Sequence, residues 1–261
     1  MTRPAPLTLL QRSADPAAAA SRVNLHTPTA TPVLQRDDVA VLLLAELAPG
    51  HRAWGWSRIA LGARPHRSVS GLRFAKALGS GERGGFGLRP SPTRQGLFAL
   101  FNGESAADAF LSSSAVESYR ARSTELCTMK LRATSSRGRW AGQDIGVSAM
   151  PAQGGIVAAL TRAAIRPLQA HRFWRRSPLT EAALQGAEGC LLAVGLGEAP
   201  LLRQATFSLW RDLAAMDAYA RSGAHQQAIM AAHRGGWFSE SMFVRFVPLQ
   251  IRGIWQGHRH G

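Results

Sequence analysis

Residues 94–110 read RQGLFALFNGESAADAF, and residues 203–219 read RQATFSLWRDLAAMDAY. At this offset of 109 residues, seven of the 17 positions are identical, whereas average residue usage gives about one identity between unrelated segments of that length. Two further positions exchange one aromatic residue for another. A match of this kind at a fixed offset indicates an internal repeat.

Two shorter matches flank the long one in the same order along the chain. HRAW at 51–54 corresponds to HRFW at 171–174, and RGRW at 137–140 corresponds to RGIW at 252–255. Three matches in one order indicate a tandem duplication. The fold must therefore be built from two copies of one supersecondary unit.

Each half has the pattern strand, helix, strand, strand, helix, strand. In the first half the strands are predicted at 39–47, 71–79, 95–101 and 125–134, and the helices at 51–62 and 104–122. In the second half the strands are predicted at 155–166, 189–196, 203–210 and 240–251, and the helices at 168–185 and 212–234. This βαββαβ order is the ferredoxin-like unit of α+β proteins. Because one face of such a sheet lacks helices, two units in one chain can bury these faces against each other as a dimeric α+β barrel.

The composition predicts how the repeats are joined. Residues 1–36 are rich in Ala, Pro, Thr and Ser and are expected to form a disordered tail. Repeat 1 is predicted over 38–140 and repeat 2 over 155–256, with a linker at 141–154. The terminal GHRHG is expected to be disordered.

Serine and glycine interrupt the second helix of each half. The breaks are predicted at Ser112–Ser114 and at Ser222–Gly223. Ser114 and Glu117 have the spacing of a capping box, which predicts a new helix from that serine. A glycine pair at 235–236 is expected to end the second-half helix.

Charge is the unusual bulk property. The chain has 31 Lys and Arg against 16 Asp and Glu, a net charge of +15, which suits an anionic membrane surface or nucleic acid. The longest apolar run, Val39–Ala45, is too short to span a bilayer, and no secretory signal is evident. Cys127 and Cys190 are expected to be buried thiols in a reducing compartment, which predicts a cytoplasmic protein.

The histidines divide by their place in the repeats. His51 and His171 are repeat equivalents, so a shared structural role accounts for both. His225 aligns with Val116 and has no histidine partner, which makes it a candidate for a site built in one copy only. It is predicted in the first turn of a helix, where the dipole disfavours imidazolium and leaves a ring nitrogen free for metal. A simple capping or surface role, and a ligand role for His171 or His233, stay open.

Several enzyme classes lack their motifs. There is no Walker sequence, GxSxG elbow, HExxH or paired-carboxylate constellation. The Gly-rich stretch at 79–87 precedes a strand and indicates a hairpin connection rather than a phosphate cradle. Aromatic residues near arginines recur at matched repeat positions, which favours core packing over nucleic-acid binding.

Seven segments resemble the spheroidene monooxygenase family. They are LTRAAI at 160–165, HRFWR at 171–175, GLGEAPL at 195–201, QATFSLW at 204–210, SRGRW at 136–140, HQQAI at 225–229 and GWFSE at 236–240. The resemblance covers about residues 38–256.

This resemblance implies an enzyme of carotenoid biosynthesis in anoxygenic phototrophs. The family is expected to use heme b, O₂ and electrons from reduced ferredoxin to convert an acyclic carotenoid to its 2-keto derivative by successive hydroxylations. His225 would be the axial iron ligand, and Arg162, Arg166 or Arg245 would pair with the heme propionates. The cofactor would lie in the barrel interior or between a sheet and its own helices.

The expected partners are a carotenoid substrate and an anionic membrane, contacted peripherally and electrostatically; no nucleic acid is expected. The alternatives are a heme-dependent lyase or dehydratase on the same barrel, and a non-enzymatic lipid- or nucleic-acid-binding module.

Overall fold

The computed structural model describes most of the chain beyond the N-terminal segment. The described residues are 36–85, 89–149, 154–199, 202–221 and 223–260. The predicted disordered tail lies outside them except for its last residue, and so do residues 150–153 of the predicted linker. The boundaries predicted for the two repeats stay a prediction.

Both halves have the βαββαβ order that the sequence predicted. Repeat 1 contains β1 (Val39–Leu47), α1 (Arg52–Leu61), β2 (Leu72–Gly81), β3 (Pro90–Phe101), α2 (Glu104–Leu111), α3 (Ser114–Arg120) and β4 (Ser123–Gly138). Repeat 2 contains β5 (Val157–Ile165), α4 (Ala170–Gln185), β6 (Cys190–Ala199), β7 (Arg203–Trp210), α5 (Leu213–Arg221), α6 (Gly223–Arg234) and β8 (Phe238–Trp255). A last strand, β9 (His258–His260), follows them.

The strands of the two repeats close one antiparallel barrel. Their order is β4-β1-β3-β2-β6-β7-β5-β8, and β8 pairs with β4 to complete the circle. The register repeats as well, because Glu46 faces Arg94 in the first half and Ala164 faces Arg203 in the second. The predicted fold, tandem ferredoxin-like repeats in an intrachain α+β barrel, is confirmed.

Alternating side chains of the strands fill the barrel interior. Leu42 and Phe98 of repeat 1 pack in one buried cluster with Leu160, Phe207 and Phe246 of repeat 2, each at most 1% exposed. Burying such a side chain contributes about 1.5–3 kcal/mol. The interior is therefore a packed core, which leaves the sheet–helix layers as the place for a ligand.

Each repeat ends in a turn that a carboxylate of the other repeat holds. Glu240 accepts hydrogen bonds from the backbone N–H groups of residues 141 and 142, at 3.0 and 2.9 Å. Glu125 does the same for residues 256 and 257, at 2.7 and 2.8 Å. The duplication thus explains the matched RGxW segments, which place equivalent turns at opposite ends of the barrel.

The glycine and tryptophan of these segments have packing roles. Gly138 and Gly253 have φ angles of +86° and +119°, and a Cβ at either position would collide with a backbone carbonyl oxygen of the partner strand. Trp140 and Trp255 are each 1% exposed and join the interior cluster from the two ends. Only glycine permits the close strand approach that brings each indole into the barrel.

Two local predictions were wrong. The new helix predicted from Ser114 is confirmed, because α3 begins there, but the capping role of that serine is wrong. The N-cap is Ser113, and its hydroxyl donates to the carbonyl of Phe110 at 2.6 Å instead of capping the helix. The terminal histidines are ordered, because β9 pairs with β8 after the turn that Glu125 holds. The predicted helix stop is confirmed, since α6 ends at Arg234 and Gly236 has a φ of +57°.

The cysteines differ in burial. Cys127 is buried as predicted, and burial raises the pKa of its thiol to about 12. Cys190 is only half-buried, so the second part of that prediction was too strong. Among the described helices, none combines the length and the apolar character needed to cross a bilayer.

Candidate functional site

The two sheet–helix layers of this duplicated fold are filled differently. In repeat 1, Leu43 of β1 faces Leu97 of β3, and both are 0% exposed beneath the helices. At the equivalent positions of repeat 2, Thr161 of β5 faces Thr206 of β7. Thr161 is exposed and Thr206 is half-buried. The centre of the second sheet is therefore open where that of the first is packed.

We call this opening the cleft, and its sheet side is formed by Thr161, Thr206 and Phe243. Leu160 and Val244 point into the barrel, and because strand side chains alternate, their neighbours point toward the helices. Phe243 of β8 pairs with Thr161 and is 36% exposed. An exposed phenylalanine and two small hydroxyl side chains on a central strand provide room and a neutral lining for an apolar ligand.

The helices of repeat 2 carry the three candidate histidines. α6 packs mainly on α4 and α5, which in turn contact β6 and β7. His225 is the third residue of α6, so the predicted position in a first helical turn is confirmed for the backbone. His171 is the second residue of α4 and is exposed. The side chains of His225 and His233 lie outside the described part of the structure.

Arg245 lies on the same sheet face as the cleft and is tied to a helix. Its Nη2 donates to Asp217 of α5 at 2.8 Å. Repeat 1 has the equivalent pair, in which Lys130 Nζ contacts Asp108 of α2 at 2.8 Å. A pair present in both copies has a structural role in joining sheet to helix. The Nε of Arg245 is nevertheless buried and has no hydrogen-bond partner among the described residues.

Arg162 lies on the opposite side of the sheet, inside the barrel. It is 3% exposed and is held between two carboxylates: its Nη1 binds Glu240, and its Nη2 binds Glu198 at 3.3 Å. Successive strand residues face opposite sides, so Arg162 is not available to a group in the cleft beside Thr161. This position does not favour the predicted role of Arg162 as a propionate partner there.

Arg166 directly follows β5 at the rim of the helical layer. It is exposed, and its Nε donates to the carbonyl of Phe238 at 3.3 Å. Within the described residues it has no carboxylate partner. Phe238 in turn contacts the ring of Phe173 of α4, with centroids 6.1 Å apart. Arg166 is thus a free cation beside the helices that cover the second sheet.

A buried charge cluster around Glu198 was not predicted from the sequence. This carboxylate contacts Lys76 Nζ at 2.8 Å and accepts a hydrogen bond from Trp140 Nε1 at 2.6 Å, in addition to Arg162. Burial raises the pKa of the neighbouring Glu240, but the backbone donors of its turn and Arg162 outweigh burial and hold that pKa below its usual range. The one signal in the sequence was an arginine at an inward strand position, which needs a carboxylate partner.

In the described residues, no group of three or more His, Cys, Asp or Glu side chains is arranged to hold a metal ion. A heme would need only one such ligand, because its macrocycle supplies the others.

Comparison with known proteins gives close relatives in sequence and more distant ones in fold. The chain is 56% identical over 244 residues to a spheroidene monooxygenase of Rubrivivax gelatinosus, which covers 93% of this chain and 94% of that protein. It is 35% identical over 209 residues to a spheroidene monooxygenase of Rhodobacter capsulatus, covering 78% and 87%. No protein-family model matches the chain.

Two solved aldoxime dehydratase structures share the fold. They are 12% and 10% identical to this chain, with TM-scores of 0.51 and 0.54. Each match covers 84% of this chain and 83% or 81% of the other chain. The second of these proteins is in complex with butyraldoxime. At such identity the likeness concerns the fold alone.

Proposed function

The chain belongs to the spheroidene monooxygenase family, and we propose that it is a heme-dependent carotenoid monooxygenase that introduces a 2-keto group into an acyclic, spheroidene-type carotenoid. Within the structure, one observation carries the proposal. Thr161 is exposed on a central strand, whereas its repeat equivalent Leu43 is fully buried. One copy of a duplicated fold thus contributes packing, and the other leaves room for a cofactor and a substrate.

The residues around the cleft fit a heme. The group needs a flat space with apolar walls, one axial ligand and cations for its propionates. Small side chains on the sheet give the space, and the ring of Phe243 gives an apolar wall. Heme supplies the activation of O₂ that attack on a C–H bond requires and that no side chain can perform.

His225 is the residue that we propose would hold the heme iron. It lies on α6 in the repeat that contains the cleft, and the first copy has Val116 at the aligned position. The partial positive charge of a helix N-terminus would disfavour an imidazolium at this position, which suits a residue that is to bind iron. His171 and His233 lie on helices of the same layer and are the alternatives.

Arg245 and Arg166 are the residues we assign to the propionates. Arg245 has a buried Nε on the cleft side of the sheet that no described residue satisfies, and Arg166 is an exposed cation at the rim. Charge-assisted bonds to carboxylates are among the stronger hydrogen bonds in proteins. Arg162 is omitted because its guanidinium is already bound to Glu198 and Glu240 inside the barrel.

The proposed partners follow from the substrate and the charge. Reduced ferredoxin would supply the electrons and O₂ the inserted oxygen. A long polyene dissolves in the bilayer, so we propose peripheral contact with an anionic membrane face, which a net charge of +15 favours.

The absorption spectrum of the purified protein tests the cofactor before any activity is measured. We expect a Soret band in the wild type. The His225→Ala protein should lose this band or show that of weakly held heme, and should form no ketocarotenoid. His171→Ala and His233→Ala are the matched controls and should stay coloured. A His225→Ala protein with an unchanged spectrum and normal turnover would move the ligand to another residue.

Two further outcomes separate the alternatives. A coloured protein whose reaction proceeds without O₂ would be a lyase or dehydratase, not a monooxygenase. A colourless protein that retains carotenoid or another lipid without converting it would be a binding module. Incorporation of ¹⁸O from O₂ into the product keto group, measured before exchange with water, would support the monooxygenase.

A further inference from the structure

Helix α1 presents apolar side chains to solvent. Trp56 is 43% exposed and Leu61 is 38% exposed, and Ala53 and Ala60 beside them are exposed as well. At 100° per residue these four residues occupy one arc of the helix. We call them the α1 face. A contiguous exposed apolar patch on a folded protein marks an interaction surface.

The surroundings of the α1 face are basic and free of acid. Residues 47–81 contain no Asp or Glu. Arg52, Arg64 and Arg67 are exposed and have no carboxylate partner in the described part of the chain. Apolar side chains flanked by unpaired arginines are typical of a helix that lies in the plane of an anionic membrane interface. Tryptophan in particular prefers the level of the lipid headgroups.

The duplication provides an internal comparison. Aligning the HRxW segments matches the four residues of the α1 face to residues 173, 176, 180 and 181 of α4. In α4 these positions are Phe, Arg, Thr and Glu, so three of the four are polar or charged. The fold therefore does not require an apolar stripe on this helix, and the stripe on α1 needs another explanation.

We propose that the α1 face is the membrane-binding surface of the protein, with Trp56 and Leu61 inserted among the headgroups of an anionic leaflet and Arg64 and Arg67 on lipid phosphates. The proposal rests on the proposed function in one respect: a substrate dissolved in the bilayer gives the enzyme a reason to bind there. It refines the sequence expectation of a purely electrostatic contact, because part of the binding then comes from apolar side chains.

Flotation with vesicles tests this surface without heme or carotenoid. The vesicles contain about one-third phosphatidylglycerol in phosphatidylcholine. We expect the Trp56→Ser/Leu61→Ser protein to partition roughly tenfold less, from the loss of inserted apolar surface. The Arg64→Gln/Arg67→Gln protein should partition onto the vesicles roughly 30-fold less than the wild type, because each arginine near an anionic surface raises the partition constant about fivefold.

Matched controls replace residues of the same kind on other surfaces. Leu168 is 86% exposed, and Leu168→Ser should leave vesicle binding unchanged. The Arg139→Gln/Arg259→Gln protein also loses two exposed arginines and should bind nearly as the wild type does. Equal unfolding temperatures across the set exclude misfolding as the cause, because all the replaced side chains reach solvent.

Salt separates the apolar share of binding from the electrostatic share. At about 1 M salt, where the Debye length is about 3 Å, the wild type should keep a fraction on the vesicles that the Trp56→Ser/Leu61→Ser protein does not keep. Complete release of both proteins, or equal losses in the controls and the α1 variants, would overturn the proposal.

Other occupants of the α1 face give different results. If the α1 substitutions weaken binding to duplex DNA, or convert a dimer to a monomer, while vesicle binding is unchanged, the surface serves nucleic acid or a second copy and the proposal is wrong. A protein that binds vesicles through α1 but shows no Soret band would contradict the proposed function and leave this inference standing.

Discussion

Filling the cleft with the side chains of the first repeat should stabilise the apoprotein and prevent cofactor binding. The change is Thr161→Leu with Thr206→Leu, which copies the buried pair Leu43 and Leu97 into repeat 2. Each leucine that becomes covered contributes about 1.5–3 kcal/mol, offset by about 0.8 kcal/mol for the threonine methyl group it replaces. The pair should raise the free energy of unfolding of the heme-free protein by about 1.5–4.5 kcal/mol.

Two measurements check this expectation. Thermal unfolding of the heme-free variant should shift upward by roughly 3–15 °C for a chain of this size. Titration with heme, followed at the Soret band, should show affinity reduced roughly 30-fold or more, because forcing a group into packed space costs about 1–3 kcal/mol per overfilled position.

The first repeat supplies the control. Leu43→Thr opens the layer that has no proposed ligand and should cost about 2–5 kcal/mol of stability, with heme affinity per folded molecule unchanged. If the Thr161→Leu/Thr206→Leu protein binds heme as the wild type does, the cleft is not the cofactor site. If its unfolding temperature does not rise, the helices of repeat 2 do not close on that space.

Three more outcomes follow from the turns and the buried cluster. Glu240 has a lowered pKa in the folded state. The stability that its ionisation contributes is therefore present above the unfolded pKa and is lost as pH falls through the folded pKa. When stability is measured as a function of acid pH, the Glu240→Gln protein should lack that loss, and parallel curves for the two proteins would contradict the assignment. Gly138→Ala should destabilise the protein more than Gly142→Ala, because both have positive φ but only the first Cβ would collide with backbone; similar denaturation midpoints would refute this. Trp140→Phe should cost about 1–2 kcal/mol more than Trp255→Phe in chemical denaturation, because the indole of Trp140 donates to Glu198 and that of Trp255 has no partner among the described residues. Equal losses would show that this bond adds nothing.

The repeat order and the barrel were predictable because they depend on patterns that a sequence carries locally. The matching segments at 94–110 and 203–219 identify equivalent strands in the two halves, and alternating apolar residues indicate which side of each strand faces the interior. Two βαββαβ units whose sheets each have one face without helices can bury those faces in only a few arrangements. The strand β7 falls at 203–210 in both the prediction and the structure.

The partners of Arg162 could not be predicted in this way. Its carboxylates are 36 and 78 residues away along the chain, and which inward residues meet at one level of a barrel depends on the shear between strands. The strand β9 was missed for a similar reason, because Glu125, which holds the turn before it, is 131 residues from Gln256. The cleft could be recognised only by comparing the exposure of Thr161 with that of Leu43 in the structure. A threonine in a strand sequence does not indicate how closely a helix covers it.

The closing contact between β4 and β8 has a consequence for synthesis of the protein on the ribosome. Residue 127 pairs with residue 253, so the circle of strands cannot be completed until nearly the whole chain has been made. At translation rates of about 5–20 residues per second, the first repeat waits roughly 5–20 s with Leu42, Phe98 and their neighbours uncovered. During that interval the nascent chain presents an apolar sheet and two unpaired strand edges, the features that chaperones bind and that promote aggregation. Yield of active protein should therefore depend on how quickly the second repeat follows the first.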